Sequence, residues 1–512
     1  MGAGIVLLVS TGFADLFITH EPQVTFFKIL YRRHTNFTIE PVSQYFNSTK
    51  IEFSQKISCT LSRFGDLVNK IHFVMDVPAV PINLVDNRFR FAWTRKIGFA
   101  MLKTIDLDIG GQTVDKQFGD WMNIWNEVSQ TNLNKFDVQI GDVKELYNFT
   151  NGKSSYRIYV PLEFWFCQKI GSSLPLIALQ YNEVKIHIEL ESLDNVRLIG
   201  PTHTIDMDTA VVQYIPDEII KQEIIGGQVA TGIYLDYDVV SGKMYYIKLT
   251  DTEFKGFDSS TIQFNNSSSN MQTLANSYAI TGTTSNFQAN PLNNAVETKY
   301  KASISRLVQK MVIPSCFLIA DYIYLGPEER ARFLYQAHEY LIEQVQLGAF
   351  KMFEQKKIQV NLQLNNPVKA LYWVAQMSLA TNARDLFNYT NSIIRDKNNN
   401  LLGKNLIRKC GMLLNGIPRF AEQTSDYFNY IQPLFYYPKG PEEGINCYSF
   451  GVYPTLFQPG GSCNMSKIDQ ISMFINIDPL VFTGGSSFIK FYAHSYNIFR
   501  IINGLGGTLF TN

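Results

Sequence analysis

Period-two alternation of apolar and polar side chains constrains this chain more than any other feature. Val184, Ile186, Ile188 and Leu190 alternate with Lys185, His187, Glu189 and Glu191. Ile51, Phe53, Ile57, Cys59 and Leu61 oppose Glu52, Ser54, Lys56, Ser58 and Thr60, and a Gly65-Asp66 turn follows. Further rows run through Ile71–Val77, Ile105–Ile109, Tyr156–Phe166, Ile358–Leu364 and Ile471–Ile477. A strand sends successive side chains to opposite faces, so each row has one dry and one wet side. That pattern belongs to antiparallel sheets packed face to face, not to a parallel sheet covered by helices. The expected fold class is all-β, with sheets joined by long connections into jelly rolls.

A chain of 512 residues exceeds a typical single core, so two domains are expected. Helical signals are few. Phe118–Val128 reads as a short amphipathic helix with Trp121 and Trp125 four apart on one face. Pro327–Gln346 reads as a longer helix, with Glu328 and Glu329 at its start and a stripe of Phe333, Ala337, Leu341 and Val345. It lies between two strand-rich regions and is read as their junction. The expected organisation is an arm at 1–25, a first roll at 26–326, a helical junction at 327–346 and a second roll at 347–512. Within the first roll, about 197–310 reads as a surface insertion. Its Ser, Thr and Asn-rich part is too polar for a core, and a Ser241-Gly242 turn marks a hairpin of its own.

Composition excludes several functions. Lysine plus arginine and aspartate plus glutamate each number 45, so the net charge is zero, where a DNA-coating protein would carry a basic excess. Charged residues make up only 18% and aromatics reach 13%, which favours packed, partly interfacial surfaces. Area scaling predicts roughly 19,000 Å² exposed for a compact monomer of this size. The six cysteines show no Cys-x-x-Cys and read as free thiols in a reducing compartment, with a Cys447–Cys463 disulfide as the alternative. No segment is long and apolar enough to span a bilayer. The seven histidines form no His-Glu-x-x-His, and neither a Walker loop nor Gly-x-Ser-x-Gly occurs. The chain reads as a non-enzyme without cofactor or metal. Among the Asn-x-Ser/Thr sequons, Asn265, Asn266 and Asn388 are the candidate glycosylation sites.

The segment Pro22–Phe37 is dense in aromatics and cations. Phe26, Phe27, Tyr31, Arg32 and Arg33 suit either a nucleic-acid patch or a subunit contact, and the zero net charge favours the contact. The segment closely resembles the opening of major capsid proteins of large icosahedral double-stranded DNA viruses. The resemblance continues through Asp106–Lys116, Gly119–Glu127, Pro161–Phe166, Leu174–Tyr181, Asp321–Leu325, His338–Gln344, Leu414–Gly416 and Pro459–Asn464, in the family's order. It points to algal and amoebal giant viruses and to iridovirus-like viruses.

The resemblance implies a double jelly roll of two eight-stranded antiparallel rolls, with short helices in loops and at the junction. It implies a homotrimeric, pseudo-hexagonal capsomer of an icosahedral shell, made and assembled in the host cytoplasm. The implied partners are neighbouring capsomers and minor capsid proteins, above an inner membrane and without direct nucleic-acid contact. Trp121, Trp125 and Trp165 are candidate anchors within or between the rolls. The alternatives are a minor capsid protein of the same fold and a glycan-binding or glycan-cleaving β-sandwich.

Overall fold

The computed structural model describes all residues except 1–2, 11, 30, 130–135, 209–212, 225–226, 258–277, 302–305, 397–399, 479–486 and 511–512. Two short helices, α1 (Ala3–Val9) and α2 (Phe13–Thr19), precede the sheets. The first roll is built from β1 (Phe37–Tyr45), β2 (Lys56–Thr60), β3 (Leu67–Val77), β4 (Leu102–Ile109), β5 (Gln112–Phe118), β6 (Tyr156–Pro161), β7 (Val184–Leu190) and β8 (Cys316–Leu325). One sheet runs β1-β8-β3-β6 and its partner runs β2-β7-β4-β5.

The second roll comprises β9 (His338–Phe353), β10 (Lys357–Asn361), β11 (Pro367–Gln376), β12 (Ile407–Leu414), β13 (Ile417–Thr424), β14 (Ile445–Ser449), β15 (Ile471–Ile477) and β16 (Ser487–Ile502). Its sheets run β9-β16-β11-β14 and β10-β15-β12-β13. Counted within each roll, both therefore have the orders 1-8-3-6 and 2-7-4-5, and every ladder among these strands is antiparallel. The fourth and fifth strands meet in a two-residue turn each time. Gly110 and Gly111 have φ of 63° and 85°, and Asn415 and Gly416 have φ of 48° and 81°. Two successive left-handed residues give the hairpin twist that matches the strands, and only Gly and Asn adopt them cheaply.

Between β7 and β8 the chain builds a third sheet. Among the described residues it has seven strands, including Ile219–Ile224, Gln228–Asp238, Lys243–Lys248 and Ile280–Gly282. The expected hairpin across Ser241-Gly242 is its central pair. The sheet has its own core of Met244, Tyr246, Phe254 and Ile280. Its other face sends Ile233, Leu235, Ile247 and Leu249 into the core of the second roll.

The helix expected over 327–346 is only half present. Helix α4 (Pro327–Tyr335; α3 is Gly119–Ser129) opens on Pro327 with Glu328 and Glu329 in its first turn. Gln336 then turns extended, and His338–Phe353 is the 16-residue strand β9, paired with β16 along its whole length. Leu341 and Val345 thus belong to a strand. Ile342, Glu343, Gln344 and Val345 are all buried in succession because both faces of that sheet are covered. One face meets the partner sheet of the second roll and the other meets the first roll, so a single apolar cluster joins Trp121 and Trp165 to Tyr372, Tyr492 and Phe499.

Candidate assembly surfaces

Helix α3 leaves the end of β5 and lies against the second roll. Gly119 starts it, and its apolar positions fall on one face. Trp121 and Trp125 stack at 5.6 Å between ring centroids. Trp121 meets Tyr372 at 5.2 Å, Tyr492 at 5.9 Å and His494 at 5.5 Å, and Trp125 meets His494 at 4.8 Å. Trp165, from the short helix after β6, meets Phe499 at 5.8 Å. All three tryptophans are buried, and each bridges to a residue of the second roll.

Ion pairs border this apolar seam. Glu127 accepts from Lys96 at 3.0 Å and from Lys439 of the second roll at 3.1 Å, and Asp120 pairs with Lys490. Beneath the tryptophans sits a buried set drawn from three adjacent strands: Glu343 on β9, Lys369 on β11 and His494 on β16. Glu343 takes Lys369 on one oxygen and His494 Nε2 on the other at 3.2 Å. Burial opposes the Glu343 charge, but the hydrogen bond from His494 Nε2 and the facing Lys369 outweigh it and hold the carboxyl well below its usual range. Burial, reinforced by the Lys369 charge, pushes His494 down to about 4, so its ring is neutral at pH 7. The Lys369 ammonium lies 5.9 Å from the Trp125 ring and 5.4 Å from that of Tyr496, within cation–π range. A second bridge joins β5 to β9. Val345 N–H donates to Asp115 at 3.2 Å, and Gln344 donates to the Val114 carbonyl. Burial raises the Asp115 carboxyl to about 7 against the hydrogen bonds that it accepts.

The other surface is the amino-terminal arm. From α1 to β1 every side chain that the structure describes is exposed, including Ile5, Leu8, Phe13 and Ile18. Phe26, Phe27 and Tyr31 are 93%, 97% and 83% exposed, and Arg32 and Arg33 are exposed beside them. These rings leave a large aromatic surface in water within one copy.

Asn388 is withdrawn as a sugar acceptor. Its side chain is fully buried, donates to Asp385 and to the Ser392 carbonyl, and accepts from Thr390. Asn265 and Asn266 lie outside the described residues. The six thiols are unpaired, five of them buried. Among the described residues no group of three or more His, Cys, Asp or Glu side chains is placed to hold a metal ion. The Lys369–Glu343–His494 set could not be read from the chain, since its members lie far apart in it and only Glu343, within His338–Gln344, falls in a segment singled out there.

Comparison with known proteins agrees with this architecture. Residues 25–237 match the family described as major capsid protein N-terminus, and 329–507 match the large eukaryotic DNA virus major capsid protein family. Probable capsid protein 4 of Acanthamoeba polyphaga mimivirus is 38% identical, over 100% of this chain and 99% of that one. The major capsid protein of Paramecium bursaria Chlorella virus 1 is 26% identical over the full length of both. Among solved structures, the PBCV-1 virus capsid superposes with a TM-score of 0.60 at 24% identity, covering 95% of this chain and 100% of that one. The Faustovirus major capsid protein gives 0.63 at 12% identity, covering 96% and 94%. These two show the double jelly-roll fold.

Proposed function

The chain belongs to the major capsid protein family of large eukaryotic DNA viruses, and from that premise we propose that three copies close into a pseudo-hexagonal capsomer. The protein is a structural, non-enzymatic component of the icosahedral shell. The observation that carries the trimer is the repeated strand order. Two rolls with one topology, locked side by side by α3 and the tryptophan seam, make each copy two similar wedges. Three copies then give six, so a threefold particle presents six similar sides to a flat hexagonal lattice. The exposed Phe26, Phe27 and Tyr31 supply apolar surface that contacts between copies would bury.

In this reading the arm runs beneath the shell, and Phe26, Phe27, Tyr31, Arg32 and Arg33 order against neighbouring capsomers or minor capsid proteins. The third sheet forms part of an outward tower. Unpaired, mostly buried thiols accord with folding and assembly in the reducing host cytoplasm. The test is the mass of the purified protein in solution. Three times 58.4 kDa at micromolar concentration supports the reading, and one chain's mass overturns it.

A further inference from the structure

Two loops far apart in sequence carry an aliphatic surface that the fold itself does not use. Ile82, Leu84 and Val85 lie in the connection after β3, and Val239 and Val240 form the tip of the hairpin in the third sheet. Leu84 is 91% exposed and Val240 98%. Val85, Val239 and Val240 border one shallow cleft, which brings the two loops side by side. Ile82, Val85 and Val239 are exposed as well, so five aliphatic side chains on these two loops stand in water, more than singly scattered surface residues account for. Gly242, at φ 65°, supplies the turn of this tip, so the two valines ahead of it have no local conformational reason.

The patch is held in a fixed shape. Arg88 bonds Asp238 at 2.6 Å and lies 4.6 Å from the Tyr245 ring, tying one loop to the other. Asp238 also accepts from Val240 N–H at 3.1 Å and from the Ser241 hydroxyl at 2.7 Å, which fixes the tip. On the other loop, Asn83 Oδ1 accepts from the N–H groups of Val85 and Asp86, while Asn151 holds the Asn83 backbone from the side. A surface ordered before it meets its partner loses little entropy on binding.

The rim argues for the identity of the partner. Asp86, Asp236 and Asp238 stand with Arg88, Arg90 and Lys301 around the cleft, three acids and three bases. A patch carrying net charge would repel its own copies brought face to face, whereas an apolar centre with a balanced rim does not. We propose that this knuckle is where three copies of the chain pack against one another around the threefold axis of the capsomer. The proposal rests on the trimer reading above and adds to it the surface that closes the ring.

The test uses the full-length chain, after its wild-type mass has been measured. Val240→Asp and Leu84→Asp would each raise the trimer dissociation constant at least 100-fold, because three carboxylates would converge in an apolar contact. Both residues are exposed in the single chain, so the melting temperature of the dissociated protein would not move. Val240→Cys would form a disulfide-linked pair of chains under mild oxidation, which wild type does not form. A wild-type trimer whose stability is unchanged by both aspartates, or a Val240→Cys variant whose introduced thiol stays freely alkylated, overturns the knuckle and leaves the trimer standing. A monomeric wild type overturns both.

Discussion

Glu343→Gln isolates one charge at the seam between the rolls. The amide keeps an oxygen for Lys369, and its NH₂ can meet a His494 ring whose tautomer has switched, so shape and hydrogen bonding are nearly conserved. The Lys369 ammonium, only 1% exposed, then loses its counter-charge. Removing one partner of a buried pair costs about 3–5 kcal/mol. The loss has a ceiling, because Lys369 can release its proton instead. At pH 7 that release costs about 4.6 kcal/mol, from a usual lysine pKa of about 10.4 at about 1.36 kcal/mol per unit. In the variant the folded state holds Lys369 below its unfolded pKa, so the unfolded chain binds more protons and stability rises with pH. The deficit against wild type therefore shrinks above neutrality, by up to about 1.4 kcal/mol per pH unit. Urea unfolding followed by tryptophan emission reads this locus directly, since Trp121 and Trp125 both touch His494. Adding Lys369→Met to Glu343→Gln should recover most of the loss. A loss under about 1 kcal/mol, a deficit that does not change with pH, or no recovery in the double variant would refute the reasoning.

Trp121→Ala should cost about 3–5 kcal/mol and turn one unfolding transition into two as the rolls uncouple, a change that calorimetry resolves. Asp115 is raised to about 7 from an unfolded value near 3.8, so the folded state keeps a proton that the unfolded chain gives up. Its contribution is present below about pH 4 and lost as pH rises towards 7. Asp115→Asn should abolish that decline and leave the variant more stable than wild type at pH 8, as judged by urea midpoints at pH 5 and pH 8. Deleting residues 3–36 should leave the melting temperature unchanged, because every described side chain of the arm is exposed, and should stop capsomers from joining into sheets under the electron microscope.

Strands with one wet face could be read directly from the chain. Val184–Leu190 is buried at every second residue, and Gly110-Gly111 makes the turn that its composition announces. The same logic fails on sheets covered twice. Lys369 to Gln376 on β11 is buried without a break, so no alternation survives there to be read. On β9 the same double burial left a spacing that mimicked a helix. Trp121 and Trp125 declared a shared helical face, but their partners Tyr372, Tyr492 and His494 lie more than 240 positions on, and only the fold brings them together. The turn pair Asn415-Gly416 echoes Gly110-Gly111 at the same place in the second roll, a trace of the repeat that side-chain chemistry elsewhere has erased. The exposed arm was conspicuous for its aromatics. That its described side chains are uncovered within one copy became visible only in three dimensions.

Single-particle electron microscopy of the purified full-length protein tests the central claim most directly. The account predicts threefold particles whose base shows six similar wedges, two from each copy, with the third sheets rising above them. Isolated two-wedge particles, or assemblies with twofold symmetry, would contradict it.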